Sequence, residues 1–538
     1  MKREVPRSKD GRLLQSESGI QLKPFYEATD APGHSDRPGD YPFTRGISPD
    51  MYRSEMWHID MYAGFGNAEE ARARYEFLLE QGASGVNIAM DLPTQLGYDS
   101  DHELAKGEVG RVGLAVDSLQ DLQDVFQNTR LDQAKIVFTV ANGIGPLALA
   151  WFMTVGDKQG VRREDYVIHL QNDPLKEYTG RGAYVLPLDP SLKLACDVIE
   201  FAARKGYRHW KPVGICGSQF RWGGSNAVQE VAFGLCEAIT YIETLLARGL
   251  DVDSFAPMLE LHLTTDIDLF EEVAKFRAVR RVWARLLKER YGARDPASCQ
   301  LKISLYTAGY RLTKQEPLNN SVRITVQALA AILGGAQHIG TLSIDEALST
   351  PSEESVRLAL RTQQILAHEA RVGHVADPLG GSFMVESLTN AVEEQIWVYI
   401  KEVDAMGGAL QAIRNGYFQR YVDDGAYQHE KDVESGDRVV VGLNRFVDRR
   451  LIANSGIKPF KIRPQVEERQ IERLKALRAS RNPVEVGAAL KALRDSARKG
   501  ENVIEPLTRA VSAYATCGEI YDVFREVHGT YKDEKITL

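Results

Sequence analysis

The chain predicts a mixed α/β fold: a parallel (β/α)8 barrel of the TIM type, with an N-terminal arm and a helical C-terminal region. Three observations carry that expectation. Short apolar, β-prone runs recur between residues 84 and 377, most of them separated by a longer helical pattern. The runs are nearly continuous in hydrophobicity, as strands buried on both faces are. The length, 538 residues, exceeds one ordinary domain and suits a large barrel plus an appended region.

Taken in order, residues 1–40 are polar and carry Pro24, Pro32, Gly33, Pro38 and Gly39, which reads as an extended arm. The barrel spans 41–385. Its strands are expected in Ser84–Met90, Lys135–Val140, Tyr166–Leu170, Lys211–Cys216, Met258–Leu263, Leu301–Thr307, Gln337–Leu342 and Gly373–Asp377. Residues 386–538 read as largely helical, with helices at Thr389–Ala405, Met406–Gly416, Gln465–Arg481, Pro483–Lys499 and Gly518–His528. The segment 428–465, with Glu434-Ser-Gly-Asp437, reads as a loop-rich linker, with a short strand at Val439–Val441 after that block.

Composition narrows the class. Hydrophobic residues are 43% and charged residues 26%, the mix of a soluble globular protein. No apolar run reaches the roughly 18–20 residues needed to span a membrane. Met1–Asp10 lacks the apolar segment of a signal peptide, so a cytoplasmic location without membrane partners is expected. Cys196, Cys216, Cys236, Cys299 and Cys517 lack CxxC spacing and read as buried thiols in a reducing compartment, with no metal site. A net charge of −8 argues against a nucleic-acid surface.

Barrel enzymes carry their chemistry on the loops that follow the strands. After the first run comes Asp91-Leu-Pro-Thr-Gln-Leu-Gly-Tyr-Asp-Ser-Asp101, then Gly107–Gly113. After the third comes Gln171-Asn-Asp-Pro-Leu-Lys-Glu-Tyr-Thr-Gly-Arg181. After the fourth comes Gly217-Ser-Gln-Phe-Arg-Trp-Gly-Gly224. Arg181 suits a carboxylate, because its planar fork donates two parallel hydrogen bonds. The competing readings are a structural ion pair for Arg181 and a turn that only ends the strand for the Asp91 loop.

These blocks, with Tyr41-Pro-Phe-Thr-Arg-Gly46, Trp57-His-Ile-Asp-Met-Tyr-Ala-Gly-Phe65, Gln315–Asn320, Gly334–Gln337, Thr341–Ala347 and Asp377–Ser382, resemble the large subunit of adenosylcobalamin-dependent acyl-CoA mutases, the methylmalonyl-CoA mutase family. The resemblance runs from about residue 23 to the last residues and supports the barrel. It implies a radical 1,2-rearrangement with adenosylcobalamin as cofactor. It implies that Tyr62 belongs to the substrate pocket, that Gln171 binds substrate and that Arg181 grips a free carboxylate. Gln219 stands where the family has a histidine that donates to the thioester carbonyl. Ser304 and Tyr306 stand where the family has His and Gln, both substrate contacts. Arg277 is implied as a further substrate contact. Glu346 corresponds to a residue that bonds the adenosyl ribose, with Gln337 and His338 as further cofactor contacts; a solvated helix-start carboxylate is the alternative for Glu346.

Departures from the pattern put the usual substrate in question. Glu55 and Asp60 occupy places where the family has arginines for coenzyme A, so they are candidate contacts to a different handle. Phe138 and Val140 replace small hydroxylated residues near the coenzyme A chain. Lys211 and Leu342 each replace an asparagine. None of the eleven histidines lies in the Asp-x-His-x-x-Gly pattern of the family's cobalamin domain. Gly518–Gly529 looks like the usual end of a large subunit whose cobalamin domain is a separate protein. A small cobalamin-binding subunit is therefore the expected partner, in a hetero-oligomer that shares the cofactor. Three readings stand: the mutase large subunit acting on a carboxylate-bearing substrate, a mutase whose substrate is not built on coenzyme A, and a catalytically silent scaffold. The last draws on Gln219, since glutamine donates a hydrogen bond but is no general acid.

Overall fold

The computed structural model describes residues 15–23, 25–31, 36–448 and 465–532. Much of the expected arm (1–14, 24 and 32–35) and residues 449–464 of the expected linker lie outside the described residues. The strands are β1 (His58–Asp60), β2 (Tyr62–Ala63), β3 (Val86–Ile88), β4 (Ile136–Val140), β5 (Val167–Gln171), β6 (Val213–Cys216), β7 (Leu259–Thr265), β8 (Lys302–Thr307) and β9 (His338–Gly340). They form a four-stranded sheet in the order β2-β3-β4-β5 and a five-stranded sheet in the order β1-β9-β8-β7-β6. The pairs β2–β3, β3–β4, β4–β5 and β8–β9 are parallel, and helices connect most strands, so the fold is mixed α/β with parallel sheets.

Seven of the eight expected runs contain a strand; the eighth does not. Gly373–Asp377 is a succession of turns and bends. Its one large apolar residue, Val375, is 62% exposed, and Asp377 has a positive φ of 46° while its carboxylate is held by Arg45 and Arg277. A short apolar spelling without burial does not make a strand. Two strands come instead from Trp57–Phe65, where His58 and Asp60 interrupt the apolar pattern that marks the others.

Contacts divide the described residues into two compact units. One is built from Met1–His58, Cys216–Thr240 and Leu261–Pro459, the other from Ile59–Ile215, Tyr241–Glu260 and Phe460–Leu538. In the first, helix Leu269–Arg285 starts at Asp268, whose carboxylate accepts from Glu271 N; Glu271 and Glu272 lie in its first turn and Arg285 in its last. That charge order complements the helix dipole. Arg280, fully buried in this helix, donates to the carbonyls of Phe43, Thr44 and Gly334. Helix Tyr417–Ser435 takes up the start of the expected linker and ends on Gly436, whose φ of 79° is the left-handed stop. Val439–Val441 forms no strand beyond a single bridge from Val441 to Arg445.

In the second unit, strand register decides which side chains share a face. Tyr62 pairs with Asn87, Asn87 with Phe138, Phe138 with His169, and His169 bridges to Lys211. The row two residues nearer the strands' C-terminal ends places Val140 beside Gln171. Helices Val466–Ser480, Pro483–Arg498, Ile504–Ser512 and Cys517–His528 belong to this unit; the third was not expected from sequence. All five cysteines are free and buried.

Candidate functional site

The loop after β5 is built around buried polar groups. Gln171 ends the strand, and its side-chain oxygen accepts from Lys176 Nζ at 2.7 Å; both residues are buried. Asp173 accepts from Tyr241 Oη at 2.6 Å. Glu177 lies in the following 3-10 turn and collects Asn142 Nδ2 at 2.8 Å, Arg181 Nη1 at 3.1 Å and Ala183 N at 3.2 Å. Arg181 Nη2 donates to Gln95 Oε1 at 2.7 Å, and Gln95 is aimed by its own amide bond to Met90 O at 2.6 Å. The guanidinium is thus held at both amino groups while 30% of the side chain stays exposed. Burial pushes the Tyr62 hydroxyl up to about 12, and the Arg181 charge pulls against that rise, which brings these two residues together.

One row deeper, the same strands are packed with large groups. Asp60 is buried and accepts from Asn87 Nδ2 at 2.5 Å, so its carboxylate faces protein. Phe138 stacks on His169, centroids 4.2 Å apart at 27°. His169 Nε2 lies against the buried Glu260 carboxylate. Lys211 Nζ donates to Pro257 O at 2.9 Å. Asp91 caps the turn Leu92–Gln95 and accepts from Gly110 N at 2.7 Å, while Asp99 accepts from Thr516 Oγ1 and Gly518 N, each at 2.6 Å. The aspartates of that loop are used in holding its fold.

In the other unit, His262 Nδ1 lies 2.6 Å from Ser304 Oγ, and its ring is 5.1 Å from that of Tyr306. A Cβ on Gly340 would meet the Tyr306 ring at 2.2 Å, so only glycine admits it. Gln219 is half-buried on helix Ser218–Gly223, whose Trp222 donates to Thr264 Oγ1 at 2.9 Å. Glu346 is half-buried after β9, and burial, reinforced by Asp345, lifts its carboxyl to about 7. Gln337 precedes β9, and its side chain bonds Ile303 N and Gly335 O, so the strand's length separates it from Glu346. His338 is buried and edge-on to His58 at 5.9 Å. Glu55 is 83% exposed, 3.9 Å from His58. Arg277 is fully buried and bonded to Asp377, Glu386 and Thr389, the arrangement of a structural cluster.

The comparisons with known proteins bear on this geometry. The family model described as methylmalonyl-CoA mutase matches residues 15–530, nearly the whole chain. The chain belongs to the methylmalonyl-CoA mutase family. Its relatives include the 2-hydroxyisobutanoyl-CoA mutase large subunit of Aquincola tertiaricarbonis, 40% identical over 93% of this chain and 88% of the relative. Methylmalonyl-CoA mutase of Rhizobium meliloti is 37% identical over 98% of this chain and 74% of the relative. The mitochondrial methylmalonyl-CoA mutase of Homo sapiens is 35% identical over 97% and 69%. This member of the family is accordingly an isomerase, a carbon-skeleton mutase. Among its described residues no helix is long and apolar enough to cross a membrane.

Sequence reasoning passed over His169, Glu260 and His262 in this mutase. A signal for them existed. The strands read Val-Ile-His-Leu-Gln and Leu-Glu-Leu-His-Leu-Thr-Thr, with polar residues at alternate places in otherwise apolar runs, the spacing of side chains on one face.

Proposed function

We propose that this chain is the substrate-binding large subunit of an adenosylcobalamin-dependent mutase, a TIM barrel that works in a hetero-oligomer with a separate cobalamin-binding subunit. The observation that carries the reading is Arg181, anchored by Glu177 and Gln95 and electrostatically coupled to the half-buried Tyr62. An arginine fixed in that way suits a free carboxylate on the substrate. The relative named as a large subunit supports the partner. When bound, adenosylcobalamin supplies the radical that starts the rearrangement. A half-buried carboxyl that is protonated up to about pH 7 fits a ribose hydroxyl, so Glu346 is the residue assigned to that contact. Tyr62 and Arg181 orient the carboxylate, Gln171 is held for substrate by Lys176, and the Gln219 amide donates a hydrogen bond. The buried thiols and the absence of a membrane-spanning helix among the described residues support a cytoplasmic location.

A second reading concerns the substrate handle. The relatives are named as coenzyme A ester mutases. In this chain Phe138, stacked on the His169–Glu260 pair, occupies the place of a small hydroxylated residue, and Glu55 and Asp60 replace cations. These residues favour a handle other than coenzyme A. The test is a turnover panel with the chain, a cobalamin-binding subunit and adenosylcobalamin, comparing acyl-CoA thioesters with free and carrier-bound acids. Conversion of a carboxylate-bearing substrate with weak turnover of methylmalonyl-CoA is expected. Efficient conversion of methylmalonyl-CoA would overturn the second reading and leave the first.

A further inference from the structure

We propose that Tyr531 is a positioning residue for the substrate carboxylate: together with helix Cys517–His528 it clamps the two loops that hold Arg181. This rests on the reading of Arg181 as the carboxylate grip. It goes beyond that reading by placing control of the grip in a distant helix and the segment that follows it. All the parts belong to one compact unit. Tyr178 and Tyr184 flank Arg181, three residues before it and three after. Their ring centroids lie 5.3 Å apart, so the loop between them is drawn closed. Inside it, Gly182 N donates to Glu177 O at 2.9 Å and Ala183 N to the Glu177 carboxylate at 3.2 Å. Tyr531 completes the cluster. Its centroid is 4.2 Å from that of Tyr184 at 31°, and 5.3 Å from that of Tyr178 at 67°. All three rings are half-buried, so the cluster fastens the loop at its rim and not in the core. A loop held in that way is one that a single side chain can loosen without unfolding the unit.

The same helix holds the second anchor of Arg181. Arg525 Nη2 donates to Leu96 O at 2.7 Å and to Gly97 O at 2.9 Å, and its guanidinium lies 4.1 Å from the Tyr98 ring centroid. Tyr521 lies against Gly97, where a Cβ would come within 2.5 Å of the ring; with a φ of 72° this position calls for glycine. Two residues earlier in that loop is Gln95, whose Oε1 accepts from Arg181 Nη2. After the helix, Gly529 turns the chain out with a φ of 80°, and Tyr531 meets the other loop. One amino group of Arg181 is therefore referenced to Tyr521 and Arg525 through Gln95, and the other to Tyr531 through the loop of Glu177. A planar fork needs both references to present its donors in parallel. Without the Tyr531 ring the charge remains but the fork is misaimed. Such a loss weakens binding of the carboxylate in ground state and transition state alike, which raises KM and spares kcat.

The experiment has two arms. In the first, amide hydrogen exchange of the full chain is followed by mass spectrometry for wild type, Tyr531→Ala and Tyr531→Phe. Tyr531→Ala is expected to speed exchange in residues 177–185 while β3, β4, β5 and the melting temperature stay as in wild type. Tyr531→Phe keeps the ring and should stay at the wild-type rate. Unaltered exchange in 177–185, or faster exchange throughout the unit with a lowered melting temperature, overturns the proposal. In the second arm, the chain is reconstituted with the cobalamin-binding subunit and adenosylcobalamin and assayed on a carboxylate-bearing substrate. Tyr531→Ala should raise KM by about fivefold or more, from the loss of two ring contacts, and leave kcat within about twofold. In an Arg181→Ala background the same substitution should add no further rise, because it acts through that arginine. A wild-type KM in Tyr531→Ala, or effects that simply add, overturns the proposal. Wild-type kinetics in Arg181→Ala would count instead against the carboxylate reading, and the exchange arm would still decide the clamp.

Discussion

Arg181 does what a lysine in its place could not. One amino group holds Glu177 at 3.1 Å, the other holds Gln95 at 2.7 Å, and the fork stays planar between them. Arg181→Lys gives up one anchor. Losing one charged hydrogen bond costs roughly 1.5–3 kcal/mol, so kcat/KM on a carboxylate substrate is expected to fall at least about tenfold. Unchanged steady-state kinetics in Arg181→Ala would remove the residue from the site. Glu346 makes a different prediction. Its carboxyl titrates near 7 in the folded chain against an ordinary 4.5, so the folded state keeps a proton that the unfolded state has lost. The stability this group contributes is complete below about pH 4.5 and is lost as pH rises through 7. Glu346→Gln should therefore raise stability by about 1–2 kcal/mol at pH 8 and leave it unchanged at pH 4, read from urea melts at both values. The reading of Arg181 comes from the resemblance of the Gln171–Arg181 block to the family's, since a lone arginine would read as a structural ion pair. His262 and His169 left only their alternate spacing in apolar strands, because their partners Ser304 and Glu260 lie far along the chain and only folding brings them together.

At the scale of elements, charge inside a helix decides more than helix propensity does. Helix Leu269–Arg285 buries Arg277, Arg280 and Arg281, and each is bonded at its guanidinium. Arg277→Ala leaves Glu386 without the cation it is bonded to and Asp377 with Arg45 alone. Breaking such a buried pair costs roughly 3–5 kcal/mol, so a large drop in melting temperature with no specific change in KM is expected. A raised KM in a fully stable Arg277→Ala chain would return this residue to the substrate. Strands between helices were legible from continuous apolar runs, since burial on both faces leaves that spelling. β1 and β2 were hidden because Asp60 is satisfied by Asn87 on β3, a partnership no local window contains. Helix Tyr417–Ser435 was hidden by its polar face, and Gly436 marks its end more plainly than any residue marks its course.

For the whole molecule, the alternation of strand and helix was legible, but the grouping of its contacts was not. Helices after residue 465 belong with Ile59–Ile215 and those between 383 and 435 with the other unit, a partition set by long-range packing. The proposed function has this chain supply the binding residues and a separate subunit supply the cofactor, in line with the relative named as a large subunit. The purified chain alone should retain little cobalamin on a sizing column. The most direct test measures turnover of a carboxylate-bearing substrate by the chain with adenosylcobalamin, before and after addition of a small cobalamin-binding subunit. The account predicts no turnover before the addition and stoichiometric activation after it. Tight one-to-one binding of cobalamin by the chain alone, with full activity, would contradict it.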